Sequence, residues 1–160
     1  GAPRETALPV LTPEHKPLPK AVENIPALPF IPIITPNFLQ HVEMRWAVGS
    51  IPYMGTPFWE SGIYIRATDK NLSPEVLIVM LSDGPPTPCL SHFKGPVMAS
   101  SVSWSLELPP MPANIDSEGW FQIDMETKAG ADGYVNQSAK LWTPNGELAS
   151  LGYQVVAVYG

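Results

Sequence analysis

Apolar and polar residues alternate with a period of two in six stretches of the chain after residue 36. This period is typical of β-strands that bury one face. It predicts strands over residues 39–47, 58–66, 97–108, 121–129, 133–142 and 148–159. Short turns join the last four, including the hairpin signal Asn145-Gly146, so we expect these strands to be antiparallel.

The segment between the second and third strands predicts a helix. Ser73 suits the N-cap, Pro74 the first helical position and Glu75 the first turn. Residues 76–81 are apolar on every side, and the sequence Asp-Gly-Pro-Pro at 83–86 ends the helix. The frequent Val and Ile leave a buried strand as the competing interpretation. A short helix without a polar face has to be wrapped by the rest of the fold.

An antiparallel sheet curled around this helix would bury both the helix and the inner face of the sheet. That arrangement is the hot-dog fold, an α+β architecture, and we assign it to residues 37–160 as a single domain. A lone sheet of this kind leaves a free edge and one open surface. We therefore expect it to pair with a second hot-dog unit, either another copy of this chain or a missing N-terminal half.

Residues 1–36 form a different kind of segment, because nine of the twenty prolines lie there. Such a density predicts an extended arm. The arm also carries apolar residues that a solvated linker would not need, namely Ile25, Leu28, Phe30, Ile31, Ile33 and Ile34. We expect the arm to lie along a hydrophobic surface of this domain or of a partner. The Gly-Ala start is either a tag remnant or a sign that the arm is a former interdomain linker of a longer protein.

Composition disfavours several classes of function. A net charge of -6 argues against a nucleic-acid binder that works through phosphate contacts. No apolar run approaches the roughly 18 residues of a transmembrane helix, so no membrane span is expected. The single cysteine, Cys89, leaves no disulfide framework and fits a reducing, cytoplasmic location. The last three residues are not a peroxisomal address, although a peroxisomal location stays open.

The sequence contains no nucleotide-binding, metalloprotease or serine-hydrolase motif. His15 in the arm and His41 on a polar strand face are expected to be solvated. His92 lies in the loop after the helix with Cys89, but one histidine and one cysteine do not form a metal site. We expect neither a metal nor an organic cofactor.

Asp83 is the first candidate for chemistry, because it ends the apolar helix. The partly negative C-terminal end of a helix opposes a carboxylate there. A turn residue that bonds to its own backbone is the alternative interpretation. Asn or Ser would serve such a turn without the charge penalty.

Gln154 and Ser101 are the other candidates. Gln154 lies in a strand with two largely apolar faces, so we expect it to be at least partly buried and to need hydrogen-bond partners. Gly152, two residues earlier on the same face, would leave room for a ligand or for backbone. Ser101 shares a face with Ser103, Ser105 and Glu107, which is also the pattern of a solvent face. No histidine base lies near Ser101, which disfavours a serine nucleophile.

Three passages carry a resemblance to a known family. They are residues 77–83, where the helix ends in Asp, residues 99–106, and residues 146–154, which close on Gln. With these passages, the stretch 38–159 resembles the C-terminal hot-dog half of the TesB-like, double-hot-dog acyl-CoA thioesterases. The resemblance implies that an Asp, a Thr or Ser and a Gln hold a water that attacks the thioester carbonyl. Carried over residue by residue, these are Asp83, Ser101 and Gln154.

The implied function is hydrolysis of an acyl thioester, with acyl-CoA as the expected substrate. Asp83 would be the base or water anchor, Gln154 would orient the water and Ser101 would complete its hydrogen bonds. Two other classes stay open. One is a hot-dog dehydratase, isomerase or pathway cyclase, although the nine-residue spacing of Asp83 and His92 does not fit a hydratase well. The other is a non-catalytic half that completes a partner.

Overall fold

The computed structural model describes residues 4–28 and 35–160. In this part of the chain, six strands and one α-helix follow each other in the predicted order. The strands are β1 (Val42–Val48), β2 (Glu60–Ala67), β3 (Met98–Glu107), β4 (Phe121–Ala131), β5 (Tyr134–Trp142) and β6 (Leu148–Tyr159), and the helix is α1 (Pro74–Asp83). Short 3-10 helices lie at Val22–Asn24, Asn37–His41 and Pro88–His92. The arm residues Phe30, Ile31, Ile33 and Ile34 lie outside the described residues.

The six strands form one antiparallel sheet in the order β1-β2-β4-β5-β6-β3. The hairpin between β4 and β5 turns at Asp132-Gly133, where both residues have the positive φ that a type I′ turn requires. Strand β3 enters the sheet beside β6, so β1 and β3 are the two edges. With one helix on the sheet, this is the predicted α+β hot-dog architecture.

Helix α1 packs on the sheet through one face. At its start, the Ser73 hydroxyl accepts a hydrogen bond from the Val76 amide, as the predicted N-cap requires. Leu77, Ile78 and Leu81 are at most 1% exposed. They share a core with side chains of five strands, including Ile63, Ile65, Phe121, Ile123 and Leu141. Burying each such side chain contributes roughly 1.5–3 kcal/mol, so these contacts hold the helix on the sheet.

The expectation that α1 is wrapped on all sides is wrong for this chain. Val76 and Val79 are 53% and 39% exposed. A single sheet covers only one side of a helix, so the other side stays at the surface. No helix in the described part of the chain is long and apolar enough to cross a membrane.

Strand β3 contains a β-bulge. Ser101 pairs with Val156 of β6, and Ser103 pairs with the preceding residue, Val155. Val102 therefore has no residue opposite it, and β3 has one residue more than β6 at this point. Because side chains alternate between the two faces of a sheet, one extra residue moves every side chain on one side of the bulge to the opposite face.

The bulge overturns the predicted faces of β3. The alternation in the sequence placed Ser101 on one face with Ser103 and placed Trp104 on the other. Since paired residues share a face of the sheet, Ser101 lies instead on the same face as Trp104 and Gln154. This is the face of the sheet that carries the core, although Ser101 itself is exposed at the β3 edge.

Residues 15–25 of the arm lie along the face of the sheet opposite α1. The His15 Nε2 atom is 2.9 Å from the Oε1 atom of Gln122, and the ring of His15 packs against Trp142. The Gln122 side chain also donates to the carbonyl oxygen of Lys16. The expectation that His15 is solvated is therefore wrong, because this side chain attaches the arm to the sheet.

A charged cluster on the same face lies next to the arm. Glu43 accepts hydrogen bonds from Arg45 at 2.8 Å and from Arg66 at 2.7 Å, and both guanidinium groups lie over the ring of Trp120. Burial acts to raise the pKa of the Glu43 carboxyl, but the hydrogen bonds from Arg45 and Arg66 outweigh it and hold that pKa below its ordinary 4.5.

Arg45 connects this cluster to the arm. Its Nη1 atom donates to the carbonyl oxygens of Val22 and Ile25, at 3.0 and 3.2 Å. Ile25 is 6% exposed, so the arm also buries apolar surface at this point. Glu43 holds Arg45 in place and so supports the arm indirectly.

Glu43→Gln is expected to lower the free energy of unfolding by about 1 kcal/mol near neutral pH, since the ion pairs are partly exposed. The pKa of Glu43 is lowered in the folded state, so its contribution is complete above the ordinary value of 4.5. The contribution is lost as the pH falls through the lower folded value. Urea unfolding at a series of pH values measures this. Glu60→Gln, an exposed glutamate on β2, is the control, and a pH-independent difference would contradict the assignment.

Candidate active site

A cavity of about 550 Å³ opens between the C-terminal end of α1, the edge strands β1 and β3, and β6. Its walls are mostly apolar and include Phe38, Leu39, Met44, Trp46, Leu90 and Val97. Asp83, Ser101 and Gln154, the three residues predicted from the sequence, all line this cavity. The fold thus brings together side chains from one helix and two strands.

Asp83 is the last residue of α1, and its side chain is exposed. The Gly84 amide still makes the helical bond to the Met80 carbonyl, at 3.0 Å, and the helix ends there because Pro85 and Pro86 have no amide hydrogen to continue it. Within residues 4–28 and 35–160, no hydrogen bond or ion pair engages the Asp83 carboxylate. A turn residue that bonded to its own backbone would show such a bond. The carboxylate is therefore free to accept a hydrogen bond from a molecule in the cavity.

The residue before Asp83 holds this end of the helix on the sheet. The Ser82 hydroxyl donates to the carbonyl oxygen of Ile78 and lies 2.7 Å from the hydroxyl oxygen of Ser150 on β6. Ser150 is 2% exposed and Ser82 is half-buried, so the contact is partly buried. The position of Asp83 relative to β6 is fixed by this pair.

Gln154 and Ser101 are in direct contact. The Gln154 Nε2 atom donates a hydrogen bond to the Ser101 hydroxyl oxygen at 2.5 Å. Gln154 is partly buried, as predicted. The contact depends on the bulge at Val102, because without it Ser101 and Trp104 would not both face the side of β6 that carries Gln154.

Gln137 on β5 was missed in the sequence. It lies directly opposite Gln154, is 5% exposed, and its Nε2 atom donates to the Gln154 Oε1 atom at 2.8 Å. A signal was present, because Val135, Ala139 and Leu141 share its face of the strand. A glutamine on an apolar strand face needs a buried partner.

The expectation that Gly152 leaves room for a ligand is wrong. A Cβ atom on Gly152 would lie 3.6 Å from the Cβ of Ala139 and 3.7 Å from the indole nitrogen of Trp104. These are ordinary packing distances, so the space beside Gly152 would hold a methyl group and is too small for a substrate. Trp104 lies on this inner face, opposite Gln154 in the ladder between β3 and β6.

The three cavity residues have complementary hydrogen-bonding capacities. An ionised carboxylate accepts only, an amide NH₂ donates, and a hydroxyl does both. Such a set can hold a water molecule, take a proton from it and donate to an oxygen that gains negative charge. Groups held by a helix end and by paired strands need little reorganisation to do so.

His92 lines a second cavity, of about 260 Å³, and not the one that contains Asp83. The centroid of its ring lies 4.1 Å from the centroid of the Trp59 ring, with the two rings tilted by 42°. Asp83 and His92, the pair weighed for a hydratase, therefore line different cavities. In the described residues, no group of three His, Cys, Asp or Glu side chains is placed to hold a metal ion.

The chain belongs to the family of acyl-CoA thioesterase C-terminal domains, since the family's model matches residues 13–158. The match starts inside the arm and ends in β6. The resemblance to TesB-like thioesterases that the sequence indicated is confirmed. Among curated proteins, none matches the chain.

Solved structures confirm the hot-dog fold. The chain is 16% identical to a conserved protein of unknown function with hot dog fold from Alicyclobacillus acidocaldarius, over 99% of its length, with a TM-score of 0.74. It is 12% identical to the acyl-CoA thioesterase II TesB2 from Mycobacterium marinum, over 96% of its length, with a TM-score of 0.63. It is 16% identical to the tesB protein of Mycobacterium avium subs paratuberculosis, over 88% of its length, with a TM-score of 0.62.

The chain spans less than two thirds of these proteins, covering 58%, 59% and 58% of their respective lengths. At such low identities the structural likeness concerns the fold alone. The activity of the whole protein is therefore treated below as a proposal.

Cys89, which is 5% exposed in the second cavity, is expected to be unreactive in the folded protein. Burial raises the pKa of its thiol above 9.0, and a hydrogen bond with Thr87 only partly opposes this. A disulfide reagent such as DTNB is expected to release no thiolate chromophore from the native chain near neutral pH. After unfolding in urea, the only cysteine of the chain is expected to react fully. Rapid reaction of the native chain would contradict the described burial.

Proposed function

We propose that this chain catalyses the hydrolysis of an acyl thioester, with acyl-CoA as the substrate. The observation that carries the proposal is the meeting of Asp83, Ser101 and Gln154 in one cavity with apolar walls. The direct contact of Gln154 with Ser101 adds geometric support. Membership of the acyl-CoA thioesterase C-terminal domain family supports thioester chemistry.

In the proposed reaction, Asp83 accepts a proton from a water molecule while the water oxygen attacks the thioester carbonyl carbon. Gln154 orients this water, and Ser101 completes its hydrogen bonds. The tetrahedral intermediate then collapses, and the bond between carbon and sulfur breaks. The thiolate leaves and takes up the proton that Asp83 held, which yields a carboxylic acid and a free thiol. Positioned water, a base and hydrogen-bond donors suffice, so no cofactor is needed.

The walls of the cavity suit the acyl part of such a substrate. Phe38, Met44 and Trp46 line it together with the polar groups of Asp83 and Gln154. Transfer of an acyl chain from water to such a wall is favourable by roughly 0.8 kcal/mol per buried methylene. Acyl-CoA as substrate and the free Cys89 together support an intracellular location as part of the proposal.

A second hot-dog unit is the proposed partner. Nine of the ten residues of β3 are exposed, and the strand is paired on one side only. An unpaired edge strand is a template for pairing with another chain. The exposed valines of α1, Val76 and Val79, add apolar surface that a partner would cover. In this proposal the arm is the former linker to such a unit.

Asp83→Asn is expected to reduce kcat for acyl-CoA hydrolysis by about 100-fold or more, because it removes the base. Gln154→Ala is expected to cause a loss of about 100-fold through the lost donor. Ser101→Ala is expected to cause a smaller loss, since a second water can replace the hydroxyl. Free CoA release with a thiol reagent measures each rate over a panel of acyl-CoAs of increasing chain length.

Asp69→Asn is the matched control, because Asp69 is exposed outside the cavity and bonds only to the Asn71 amide among the described residues. It is expected to keep the full rate. Unchanged hydrolysis in Asp83→Asn, with Asp69→Asn also unchanged, would remove Asp83 from the mechanism. Release of a dehydrated or cyclised product without free CoA would favour a different hot-dog reaction.

Val102→Glu is expected to separate the paired units, because it would bury a carboxylate at the β3 joint. Val102 is 60% exposed in the single chain. If two copies pair, light scattering after size exclusion is expected to give a mass above 17.4 kDa, the mass of one chain, for the unaltered protein. The variant is expected to give about half of the mass measured for the unaltered protein. Val10→Glu, at an arm valine that is 93% exposed, is the control. A monomeric unaltered chain would contradict self-pairing at this edge.

A further inference from the structure

We propose that Gln137 is a positioning residue that sets which way the amide of Gln154 points. The inference rests on the function proposed above, in which Gln154 orients the attacking water. Gln137 lies opposite Gln154 in the ladder between β5 and β6 and is almost completely buried. It does not line the larger cavity, so its effect on a substrate must pass through Gln154.

The three side chains form a directed chain of hydrogen bonds. Gln137 donates to the Gln154 oxygen, and the Gln154 nitrogen donates to the Ser101 hydroxyl oxygen. An amide has one accepting end and one donating end. Because Gln137 occupies the oxygen of Gln154, the NH₂ group of Gln154 faces Ser101. One of its two protons is used there, and the second is available to the water or to a carbonyl oxygen.

The reverse direction would give a different site. If both amides turned over, the Gln154 oxygen would accept from Ser101 and its NH₂ group would be used by Gln137. Asp83 is also an acceptor, so two acceptors and no amide donor would then face the substrate. Such a site cannot stabilise the oxygen that gains negative charge in the transition state. The direction of these hydrogen bonds therefore determines whether the site can stabilise the transition state.

The surroundings of Gln137 favour the observed direction. Its oxygen is buried and has no partner among the described residues. Gln137 borders a cavity of about 10 Å³ together with Ser82, Trp104 and Gly152, and the indole nitrogen of Trp104 lies beside Gly152. An indole N–H only donates, so a carbonyl oxygen suits this side and an NH₂ group does not. A volume of roughly one water molecule would allow a bridge between them.

Gln137→Glu is the decisive variant, because it keeps the shape and removes the donor. Near pH 8 the carboxylate only accepts, so Gln154 must turn its NH₂ group toward it. We expect kcat to fall about 100-fold with KM changed less than about twofold. On acidification the carboxyl takes up a proton and can donate again. The variant is therefore expected to recover activity as the pH falls, which the unaltered protein does not do.

Gln122→Glu is the matched control. Gln122 is a buried glutamine on β4, on the opposite face of the sheet, where it bonds to His15 and Asp124. Its replacement is expected to weaken arm binding and to leave kcat and the pH profile of kcat unchanged. Gln137→Met is used in addition, in case the buried charge prevents folding. It removes the donor without adding charge and is expected to lower kcat about tenfold.

A readout independent of catalysis separates this inference from the proposed function. The chain has four glutamines, so ¹⁵N-glutamine labelling gives few side-chain NH₂ signals. Ser101→Ala introduced into the otherwise unaltered protein is expected to shift the side-chain NH₂ signals of Gln154. The same substitution introduced into the Gln137→Glu variant near pH 8 is expected to leave these signals in place. An equal shift in both backgrounds, or unchanged kcat in both Gln137 variants, would overturn the inference. Absence of hydrolysis in the unaltered protein would overturn the proposed function, and the NMR result would still decide the role of Gln137.

Discussion

The burial of one apolar face of α1 in the curled sheet is the interaction on which the rest of the structure depends. The helix has no polar face, so Leu77, Ile78 and Leu81 leave water only if the sheet bends around them. This packing places the C-terminal end of α1 over β6. The partly buried contact of Ser82 with Ser150 then fixes that end, and Asp83 follows directly after Ser82. The position of a candidate catalytic carboxylate is thus a consequence of core packing.

Strand β6 supplies the second constraint, because it is bonded on both sides. Its register with β5 places Gln137 opposite Gln154, and its bulged register with β3 brings Ser101 to the same face. Three polar side chains from three strands therefore form one line, which runs from the buried Gln137 through the partly buried Gln154 to the exposed Ser101. The buried NH₂ group of Gln137 needs a hydrogen-bond partner, so its bond to Gln154 is both a local requirement of stability and part of the frame of the proposed site.

The single chain leaves some of its apolar surface uncovered. Strand β3 is exposed and unpaired at its outer side, and one face of α1 carries exposed valines. The opposite face of the sheet is covered differently, by an arm that is held largely through polar contacts to Arg45 and Gln122. The arm falls within the part of the chain that matches the family, although its composition separates it from the strands. Because polar contacts hold much of the arm on the sheet, its composition resembles that of a linker although it is bound to the domain.

The sequence by itself determined the elements, their order and the fold class, because a period of two and a capped apolar run are local patterns. It also pointed to Asp83, Ser101 and Gln154, through their resemblance to a family pattern. Only the tertiary structure decided that Ser101 faces Gln154, that Gln137 holds Gln154, and that α1 is covered on one side. A bulge and a cross-strand pair depend on the register between segments far apart in the chain. The alternation within one strand carries no information about that register, since it reports faces and not partners.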